Sequence, residues 1–336
     1  MSQIPLEAIR LMNGFRGYQL VVAACRLKLP DLVAAGHTDP DELSSLTGME
    51  PGSLRRVLRG LAAWGFFAED SAGAYRTTPV SEAFRSDQPG LRNMAMMLSN
   101  EGYASWGELM YTIETGKPVF EHIYGKSRWE KMAEEPEDAS LFNAAMVSTS
   151  KRVGNEFAAA YDFEGVGVAV DVAGGNGALL AAVLRRLHTA RGILFDLAHG
   201  LEGARQLLED AGVADRVTIT EGSFFESVPT GGDLYVLKSI IHDWDDEYAV
   251  QILSSCRRAM HPGARLVLVE RFMPERIDSP DDYLGTVMSD LHMMVVLGGR
   301  ERTTQEYTAL LTDAGLSLTR EVAMASDFYA VEARPA

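Results

Sequence analysis

The order of apolar and polar residues divides the chain into two parts with different periodicities. Up to about residue 160, apolar side chains recur every three or four positions, a spacing that predicts helices. The first 30 residues place apolar side chains over most of a helical turn, at Ile4, Leu6, Ile9, Leu11, Met12, Phe15, Leu20, Val21 and Val22. A helix that packs against its own chain on one side would need only a narrow stripe of apolar side chains. We therefore expect these helices to pack against a second copy of the chain and build a homodimer.

Residues 39–85 form a distinct sub-unit within this helical part. The pattern predicts a short helix at 41–47, a second helix at 51–64 and a β-hairpin that turns at Gly73. Two helices followed by a hairpin is the winged-helix pattern, which many transcription factors use. DNA binding needs a basic face, and the second helix carries only Arg55, Arg56 and Arg59. We therefore interpret the sub-unit as a packing and dimerisation module.

After residue 165 the periodicity changes. Apolar runs typical of strands, at 165–172, 192–197, 216–220, 233–238 and 264–270, alternate with helical patterns near 178–188, 200–211 and 246–260. A last helix at 304–314 precedes two strand-like segments at 316–323 and 328–333. Strands rich in Val, Ile and Leu that alternate with helices indicate a parallel sheet covered on both faces. The last two segments predict an antiparallel hairpin at the edge of this doubly wound α/β domain.

The first strand of this domain runs into a glycine-rich loop, DVAGGNGALL. Gly174, Gly175 and Gly177 allow a tight turn into a helix and a close approach of backbone N–H groups to a ligand. The spacing departs from G-x-G-x-x-G because Leu180 stands where the third glycine belongs, which weakens a pyrophosphate site. Asp196, at the end of the second strand, can accept hydrogen bonds from ribose hydroxyls. Together these features favour a nucleoside ligand without a pyrophosphate.

The third and fourth strands end in further candidate chemistry. EGSFFESVP places Phe224 and Phe225 where an aromatic ring either flanks an adenine or packs into the core. LYVLKSIIHDWDDE follows the fourth strand with Lys238, His242 and Trp244. Ligands of doubly wound sheets bind beyond the carboxyl ends of the strands. We therefore expect all of these residues at one rim.

Composition restricts the class of protein. The 336 residues are 46% hydrophobic and 23% charged, and no apolar run is long enough for a transmembrane helix. The start of the sequence lacks the basic and apolar pattern of a secretion signal. Cys25 and Cys256 both lie in apolar helical patterns, which favours a reduced, cytoplasmic protein. The formal net charge of −16 would repel phosphate backbones and argues against nucleic-acid binding.

Six ordered motifs carry a resemblance to a known family: DVAGGNG, ILFDLAHG, GSFFESVP, LKSIIHDWDDE, LVLVERFMPE and GGRERT. The chain resembles S-adenosylmethionine-dependent small-molecule O-methyltransferases, which include plant phenolic and bacterial antibiotic or phenazine enzymes. The resemblance covers nearly the whole chain. It implies a doubly wound, Rossmann-like α/β methyltransferase domain with an N-terminal all-helical winged-helix dimerisation domain. Two positions depart from the family pattern, because Ala173 replaces a glycine and Ser223 replaces an aspartate.

The resemblance also implies roles for residues at the rim. Its cofactor is S-adenosyl-L-methionine, converted to S-adenosyl-L-homocysteine, and the residues that would bind it are Asp171, Gly174, Gly175, Gly177, Asp196, Ser223, Phe224, Phe225, Lys238 and Trp244. The implied general base is His242, with Glu270 and Glu301 as its acidic partners. A base is needed because a phenol, with a pKa near 10, is only about 0.1% ionised at neutral pH. A positioned imidazole can take the hydroxyl proton as the methyl group transfers.

The acceptor is expected to be a small aromatic molecule that lies between the two domains. Candidate acceptor-binding residues are Trp129, Phe142, Asn143, Met146, Asp290, His292 and Met293. In the family a methionine from each of two segments commonly sandwiches the acceptor, and methionine suits a flat, irregular ligand. We divide the chain into a dimerisation domain at 1–100, linking helices that line the acceptor pocket at 101–160, and a methyltransferase domain at 161–336.

Two other enzyme chemistries and one regulatory function remain open on this scaffold. The first is a C-methyltransferase of an α-keto acid, and the second is an enzyme that retains the cofactor without transferring a methyl group. The third is a winged-helix regulator with a ligand-sensing domain. His242 and His292, with Asp243 or Asp290, would suit non-haem iron. Strong metal-site spacings are absent from the sequence, and we predict that activity does not depend on a metal.

Overall fold

The computed structural model describes residues 4–87 and 90–336. The chain divides into two compact units, residues 1–103 with 144–148, and residues 104–143 with 149–336. Residues 1–3 and 88–89, which belong to the predicted dimerisation domain, lie outside the described part. None of the described helices has the length and apolar character that a membrane span requires.

The first unit contains the predicted winged-helix sub-unit. Its elements are α1 (Leu6–Arg26), α2 (Leu29–Ala34), α3 (Pro40–Thr47), α4 (Pro51–Ala63), β1 (Phe67–Glu69), β2 (Tyr75–Thr77), α5 (Pro79–Glu82) and α6 (Arg92–Met97). Asp39 caps α3 by accepting hydrogen bonds from the N–H groups of Asp41 and Glu42. β1 and β2 pair antiparallel, and Gly73 between them takes the left-handed φ of 80° that the turn requires. The pattern of two helices and a hairpin is confirmed.

A second group of helices precedes the sheet. These are α7 (Tyr103–Gly107), α8 (Leu109–Thr115), α9 (Val119–Tyr124), α10 (Arg128–Glu134) and the long α11 (Pro136–Ala160). Ser127 and Glu130 form a reciprocal capping box at the start of α10. The sequence pattern predicted helical structure here but not the breaks between these short helices.

The second unit is built around a seven-stranded sheet. Its further elements are β3 (Val168–Val172), α12 (Ala178–Arg186), β4 (Arg191–Asp196), α13 (Ala204–Asp210), β5 (Val217–Glu221), β6 (Leu234–Lys238), α14 (Asp246–Ala259), β7 (Arg265–Arg271), α15 (Pro280–Val296), α16 (Thr304–Asp313), β8 (Leu316–Ala323) and β9 (Phe328–Pro335). The strand order is β5-β4-β3-β6-β7-β9-β8. The first five of these strands run parallel, whereas β9 and β8 are antiparallel, as the sequence predicted.

Alternate side chains of each central strand enter two separate cores. On one face Val170 and Leu237 pack with residues of α14 and α16. On the other face Ala169 and Val236 pack with residues of α11, α12 and α13. Burial on both faces explains why these strands read as continuous apolar runs. Because β3, β4, β6 and β7 run parallel, their carboxyl ends lie at one edge of the sheet. The strand order reverses there between β3 and β6, since β4 and β5 continue on one side and β7 on the other.

Candidate active site

The glycine-rich loop after β3 has a backbone that few side chains could accommodate. Ala173, Gly175 and Gly177 all have positive φ, at 55°, 57° and 82°. A Cβ on Gly174 would lie 2.5 Å from Cγ of Asp171, so glycine is required there. A left-handed conformation costs a residue with a Cβ roughly 1–2 kcal/mol, which explains why the resembled family has glycine where this chain has Ala173. The loop leads directly into α12, which begins after Gly177.

Two carboxylates hold this loop in place. Asp196 Oδ2 accepts a hydrogen bond from the Gly175 N–H at 2.8 Å, and its Oδ1 accepts one from Leu197 at 2.6 Å. Asp171 is buried, and its Oδ2 accepts from the N–H of Leu180 at 3.2 Å. Burial raises the pKa of both carboxyls, that of Asp171 to about 7. The loop and the acid at the end of β4 therefore form one hydrogen-bonded structure, as expected for a nucleoside site.

Replacing Asp196 with alanine should weaken S-adenosylmethionine binding by roughly 1–3 kcal/mol, because the Gly175 N–H loses its acceptor and the ribose hydroxyls would lose the acceptor that the family resemblance implies. Calorimetric titration of the ligand measures this directly. The matched control is Glu202→Ala, which removes an exposed acid nearby in the sequence and tests the loss of charge alone. Equal affinities of the two variants would contradict the assigned role.

The aromatic residues after β5 and β6 form one cluster. The ring centroids of Phe225 and Trp244 lie 5.0 Å apart, and those of Phe224 and Phe225 lie 4.8 Å apart. Tyr248, which the sequence reasoning missed, belongs to the same cluster. Its ring centroid lies 5.7 Å from those of both Phe225 and Trp244. Ser223 Oγ accepts a hydrogen bond from the N–H of Phe225 at 3.3 Å. An exposed aromatic surface of this kind can pack against a flat base.

Lys238 ends β6 between two acids. The pKa of this ammonium group is lowered. Burial is the main cause, and the negative charges of Glu270 and Asp171 oppose it only in part. Because Asp171 lies near the end of β3 and Glu270 lies in β7, the lysine is placed between the acid beside the glycine-rich loop and the acids near His242. The sequence prediction that Lys238 belongs to the cofactor pocket remains a prediction.

His242 is buried and surrounded by three carboxyl groups. It lies in a short 3-10 turn at Ile241–Asp243, directly after β6. Its Nδ1 lies 2.9 Å from Oε1 of Glu301, and its Nε2 lies 3.3 Å from Oδ1 of Asp243. Oε2 of Glu270 is 4.0 Å from Nδ1. Glu301 is therefore the hydrogen-bond partner of the imidazole, and Glu270 lies too far from Nδ1 to form a hydrogen bond with it.

Glu270 has a different task in the site. Its Oε1 accepts hydrogen bonds from the N–H groups of Ile240 and Ile241, at 3.0 and 2.9 Å. These two residues begin the turn that carries His242. Burial raises the pKa of Glu270 to about 7, against the opposing effect of the charge of His242. Its main contact is with the backbone of the turn, not with the imidazole.

The acids change the protonation of His242. Burial alone would lower the pKa of the imidazole, but the charges of Glu301, Asp243 and Glu270 raise it to about 10. Glu301 in turn is buried, which raises its pKa, yet His242 and the Ser289 hydroxyl lower it below the ordinary value. Ser289 Oγ donates to Glu301 Oε1 at 2.6 Å. These shifts favour an imidazolium at His242 beside an ionised Glu301.

The segment 299–302 fixes the backbone of the His242 turn. The N–H of Arg300 donates to the carbonyl of His242 at 2.9 Å, and a Cβ on Gly299 would lie only 2.0 Å from that oxygen. Arg302 is completely buried and donates to the carbonyls of Ile241 and Trp244, at 2.9 and 2.8 Å. Gly299 and Arg302 stand in the GGRERT motif, but nothing in the sequence linked them to the histidine.

The predicted acceptor-binding residues fall in both units. Met146 belongs to the first, and the other six belong to the second. The Trp129 and Phe142 rings meet edge to face at 5.9 Å. On α15, Asp290 Oδ1 accepts a hydrogen bond from the N–H of Glu301 at 2.9 Å, and Met293 is buried. Asn143 is partly buried.

His292 has an unexpected partner. Nε1 of Trp106 donates to its Nδ1 at 3.3 Å. Burial, together with the positive charges of Arg128 and His242, lowers the pKa of His292 to about 4. The sequence reasoning missed Trp106, since 186 residues separate the two side chains and no motif connects them.

One group of side chains in the described part of the chain is close enough to share a metal ion. Donor atoms of His242, Glu270 and Glu301 lie within 4.8 Å of one another. The set weighed from the sequence, His242 and His292 with Asp243 or Asp290, does not meet this distance among the described residues. Glu270 and Glu301 already accept hydrogen bonds from N–H and hydroxyl groups. We therefore interpret His242, Glu270 and Glu301 as a hydrogen-bonded group that binds protons rather than a metal ion.

Comparison with known proteins agrees with this geometry. The O-methyltransferase domain family matches residues 106–317, and the O-methyltransferase dimerisation domain matches residues 9–87. The phenazine O-methyltransferase PhzM of Lysobacter antibioticus is 38% identical over 335 residues, covering 99% of this chain and 97% of that protein. The solved structure of LaPhzM has a TM-score of 0.91 at 37% identity, covering 99% of this chain and 100% of the other.

A further solved relative contains the expected ligand class. NcsB1, an O-methyltransferase from neocarzinostatin biosynthesis, was solved with S-adenosylmethionine and 2-hydroxy-5-methyl naphthoic acid. It is 32% identical, has a TM-score of 0.83, and the match covers 100% of both chains. The residues present here fit this cofactor, because the glycine-rich loop has a backbone that only small residues can adopt and Asp196 offers carboxylate acceptors beside it. The chain is a member of the S-adenosylmethionine-dependent O-methyltransferase family.

Proposed function

We propose that this enzyme methylates a hydroxyl group of an aromatic small molecule of secondary metabolism, with His242 as the general base. The observation that carries the proposal is the 2.9 Å pairing of His242 Nδ1 with Glu301. That pairing fixes the proton of a neutral ring on Nδ1 and leaves the lone pair on Nε2. The aromatic acceptors named for the relatives support the same substrate class.

The residues of the chain then have defined roles. Nε2 of His242 accepts the proton of the acceptor hydroxyl, and the imidazolium that forms is stabilised by Glu301. Glu270 keeps the turn in place through Ile240 and Ile241. S-adenosylmethionine supplies the methyl group from its sulfonium and leaves as S-adenosylhomocysteine. The products are an aryl methyl ether and one proton, which His242 returns to solvent.

The test is a transfer assay with methyl-labelled cofactor against phenols, hydroxyquinones and α-keto acids. We expect label in an aryl methyl ether, identified by NMR of the product. A carbon-methylated keto acid would replace this proposal with the C-methyltransferase alternative. Release of S-adenosylhomocysteine without a labelled product, or no reaction with any class, would overturn methyl transfer as the function.

The acceptor is proposed to contact Trp129, Phe142, Asn143, Met146, Asp290, His292 and Met293. The cofactor contacts proposed from the motifs, and the division at residues 100 and 160, likewise stay proposals. The reason to retain His292 and Asp290 is that α15 also supplies Ser289 to Glu301, so this helix lies beside the catalytic pair.

We also propose that the enzyme is a homodimer that does not bind nucleic acid. Its dimerisation domain begins with α1, whose apolar side chains remain exposed in the single chain, including Leu11 at 84% and Met12 at 77%. The net charge of −16 disfavours phosphate backbones. Cys25 and Cys256 are buried free thiols, which supports a reducing, cytoplasmic location.

Turnover should not require a metal ion. Dialysis against a strong chelator is expected to leave kcat unchanged, because proton transfer to His242 and methyl transfer need no Lewis acid. The control is the same protein dialysed without chelator. Loss of activity that Fe²⁺ restores, or stoichiometric iron in elemental analysis, would contradict this and favour the C-methyltransferase alternative.

A further inference from the structure

His292 lies one helical turn from the residue that supports the catalytic pair. It follows Ser289 by three positions on α15, so the two side chains share one face of the helix. Ser289 donates to Glu301, and Glu301 contacts His242. The charge of His242 also acts on His292. The second histidine therefore lies on the same helix face as the serine that hydrogen-bonds to Glu301.

Trp106 determines which nitrogen of His292 carries the proton. An indole nitrogen can only donate a hydrogen bond, so Nδ1 of His292 must accept at 3.3 Å. The neutral ring then carries its single proton on Nε2. Protonating Nδ1 would set two N–H groups against each other. Trp106 thus holds His292 as a neutral ring with an N–H at its other end.

The indole itself is firmly held. Trp106 packs against a cluster of buried side chains from α9 and α15, with Val119, Phe120, Val295 and Val296 at its centre. α15 thus contributes both the histidine and part of the wall that positions its partner. Among the described residues, the hydrogen bond that His292 makes is the one to Trp106, and the ring is only partly buried. The N–H on Nε2 is the group left to meet a ligand.

A positive charge acts on the His292 ring. The Arg128 guanidinium acts electrostatically on both His292 and Asp243, and it lies over the Phe142 ring at 5.1 Å. A neutral donor beside a cation attracts an oxygen that carries negative charge more strongly than an ether or a hydroxyl. The Nε2–H donor and the charge of Arg128 together favour a ligand with a carbonyl or carboxylate oxygen.

We propose that His292 is a specificity-determining donor, whose Nε2–H binds a carbonyl or carboxylate oxygen that stands beside the hydroxyl to be methylated. The enzyme accordingly prefers hydroxyaryl carboxylates and hydroxyquinones over simple phenols. This rests on the proposed function, since it presumes that the acceptor lies beside His242. Trp106 is a positioning residue that acts through His292.

The Nε2–H tautomer of His292 is compatible with donation to a ligand but not with metal binding through Nε2. A histidine that ligates a metal through Nε2 needs the lone pair there and usually donates through Nδ1. Trp106 imposes the opposite arrangement on His292, because its N–H already points at Nδ1. A donor role and an iron-ligand role therefore predict different protonation of one ring, which can be measured.

The first experiment compares two probes, a hydroxynaphthoate with its carboxylate beside the hydroxyl and the corresponding naphthol. Binding is measured by calorimetry with S-adenosylhomocysteine present, so the result does not depend on methyl transfer. We expect the hydroxynaphthoate to bind about 10- to 100-fold more tightly, as for a hydrogen bond to a charged group. His292→Phe should remove this preference without weakening naphthol binding, and His292→Asn, which keeps an N–H donor, should retain part of it. No preference in the wild type, or an undiminished one in His292→Phe, overturns the proposal.

The second experiment observes the ring directly. Nitrogen NMR of histidine-labelled protein, with His292 assigned by comparison with His292→Asn, should show a proton on Nε2 and none on Nδ1. Trp106→Phe keeps an aromatic ring but removes the indole donor, and it should yield a mixture of tautomers with weaker hydroxynaphthoate binding. A proton on Nδ1 in the wild type would overturn the assignment. If neither probe accepts a labelled methyl group, the proposed function fails for these acceptors, while the binding and NMR results still decide the role of His292.

Discussion

Replacing His242 with alanine should lower kcat by roughly 10²–10⁴-fold while S-adenosylmethionine still binds with unchanged affinity. The reason is the separation of the two sites along the rim. Cofactor contacts are proposed for the loop after β3 and for Asp196, whereas His242 contacts Glu301, Asp243 and Glu270. Single-turnover kinetics with labelled cofactor measure the chemical step, and calorimetry measures the binding.

The control for this prediction is His188→Ala, which removes an exposed histidine just after α12. It should leave both kcat and cofactor affinity as they are. A His242→Ala variant that loses cofactor affinity as much as turnover would contradict the division of roles. Glu301→Gln should resemble His242→Ala in kcat, since an amide cannot stabilise the imidazolium as a carboxylate does.

The pH dependence follows from the raised pKa of His242. A general base acts in its neutral form, and with a pKa of about 10 the neutral fraction is small at neutral pH and grows with pH. Below that pKa, kcat/KM should therefore rise about tenfold per pH unit. The acceptor hydroxyl titrates in the same range and contributes to the same profile. An acceptor already ionised at neutral pH should rescue His242→Ala, because it needs no base.

The strands and the loop at the rim were predictable because local patterns determine them. Val168–Val172 and Leu234–Lys238 are apolar on both faces since two layers of helices cover them. Gly174 is required by a close approach to Asp171, only three residues away. Periodicity and turn chemistry over a few residues were enough to predict that the loop after β3 and the acid that ends β4 meet at one edge of the sheet.

The contacts that orient the two histidines were beyond such reasoning. Trp106 reaches His292 from a short helix whose position depends on packing with α9 and α15. The motifs named both Glu270 and Glu301 as partners of His242, but their different distances, 4.0 and 2.9 Å from Nδ1, depend on how the 299–302 segment folds back onto the turn. Sequence spacing carries no information on such long-range geometry, so the residue types were predicted and their division of labour was not.

Replacing Arg302 with methionine should destabilise the protein by about 3 kcal/mol, the sum of two charge-assisted hydrogen bonds to carbonyl oxygens at roughly 1.5 kcal/mol each. The side chain is completely buried, and it connects the carbonyls of Ile241 and Trp244 to Asp246. These carbonyls stand on either side of His242. Methionine fills similar space but leaves both without a donor. Urea unfolding measures the loss of stability.

Arg300→Met is the matched control, because Arg300 also pairs with Asp246 but both side chains are about half exposed, at 47% and 52%. An exposed pair contributes at most about 1 kcal/mol, so this variant should stay close to the wild type. Under conditions where Arg302→Met is folded, its kcat should fall while cofactor affinity is kept, because the turn that carries His242 is less firmly fixed. Arg302→Lys, which keeps the charge but cannot donate to both carbonyls with the same geometry, should lie between the two. If Arg302→Met is no less stable than Arg300→Met, or if it loses stability with normal kcat in the folded protein, the arginine does not position the catalytic turn.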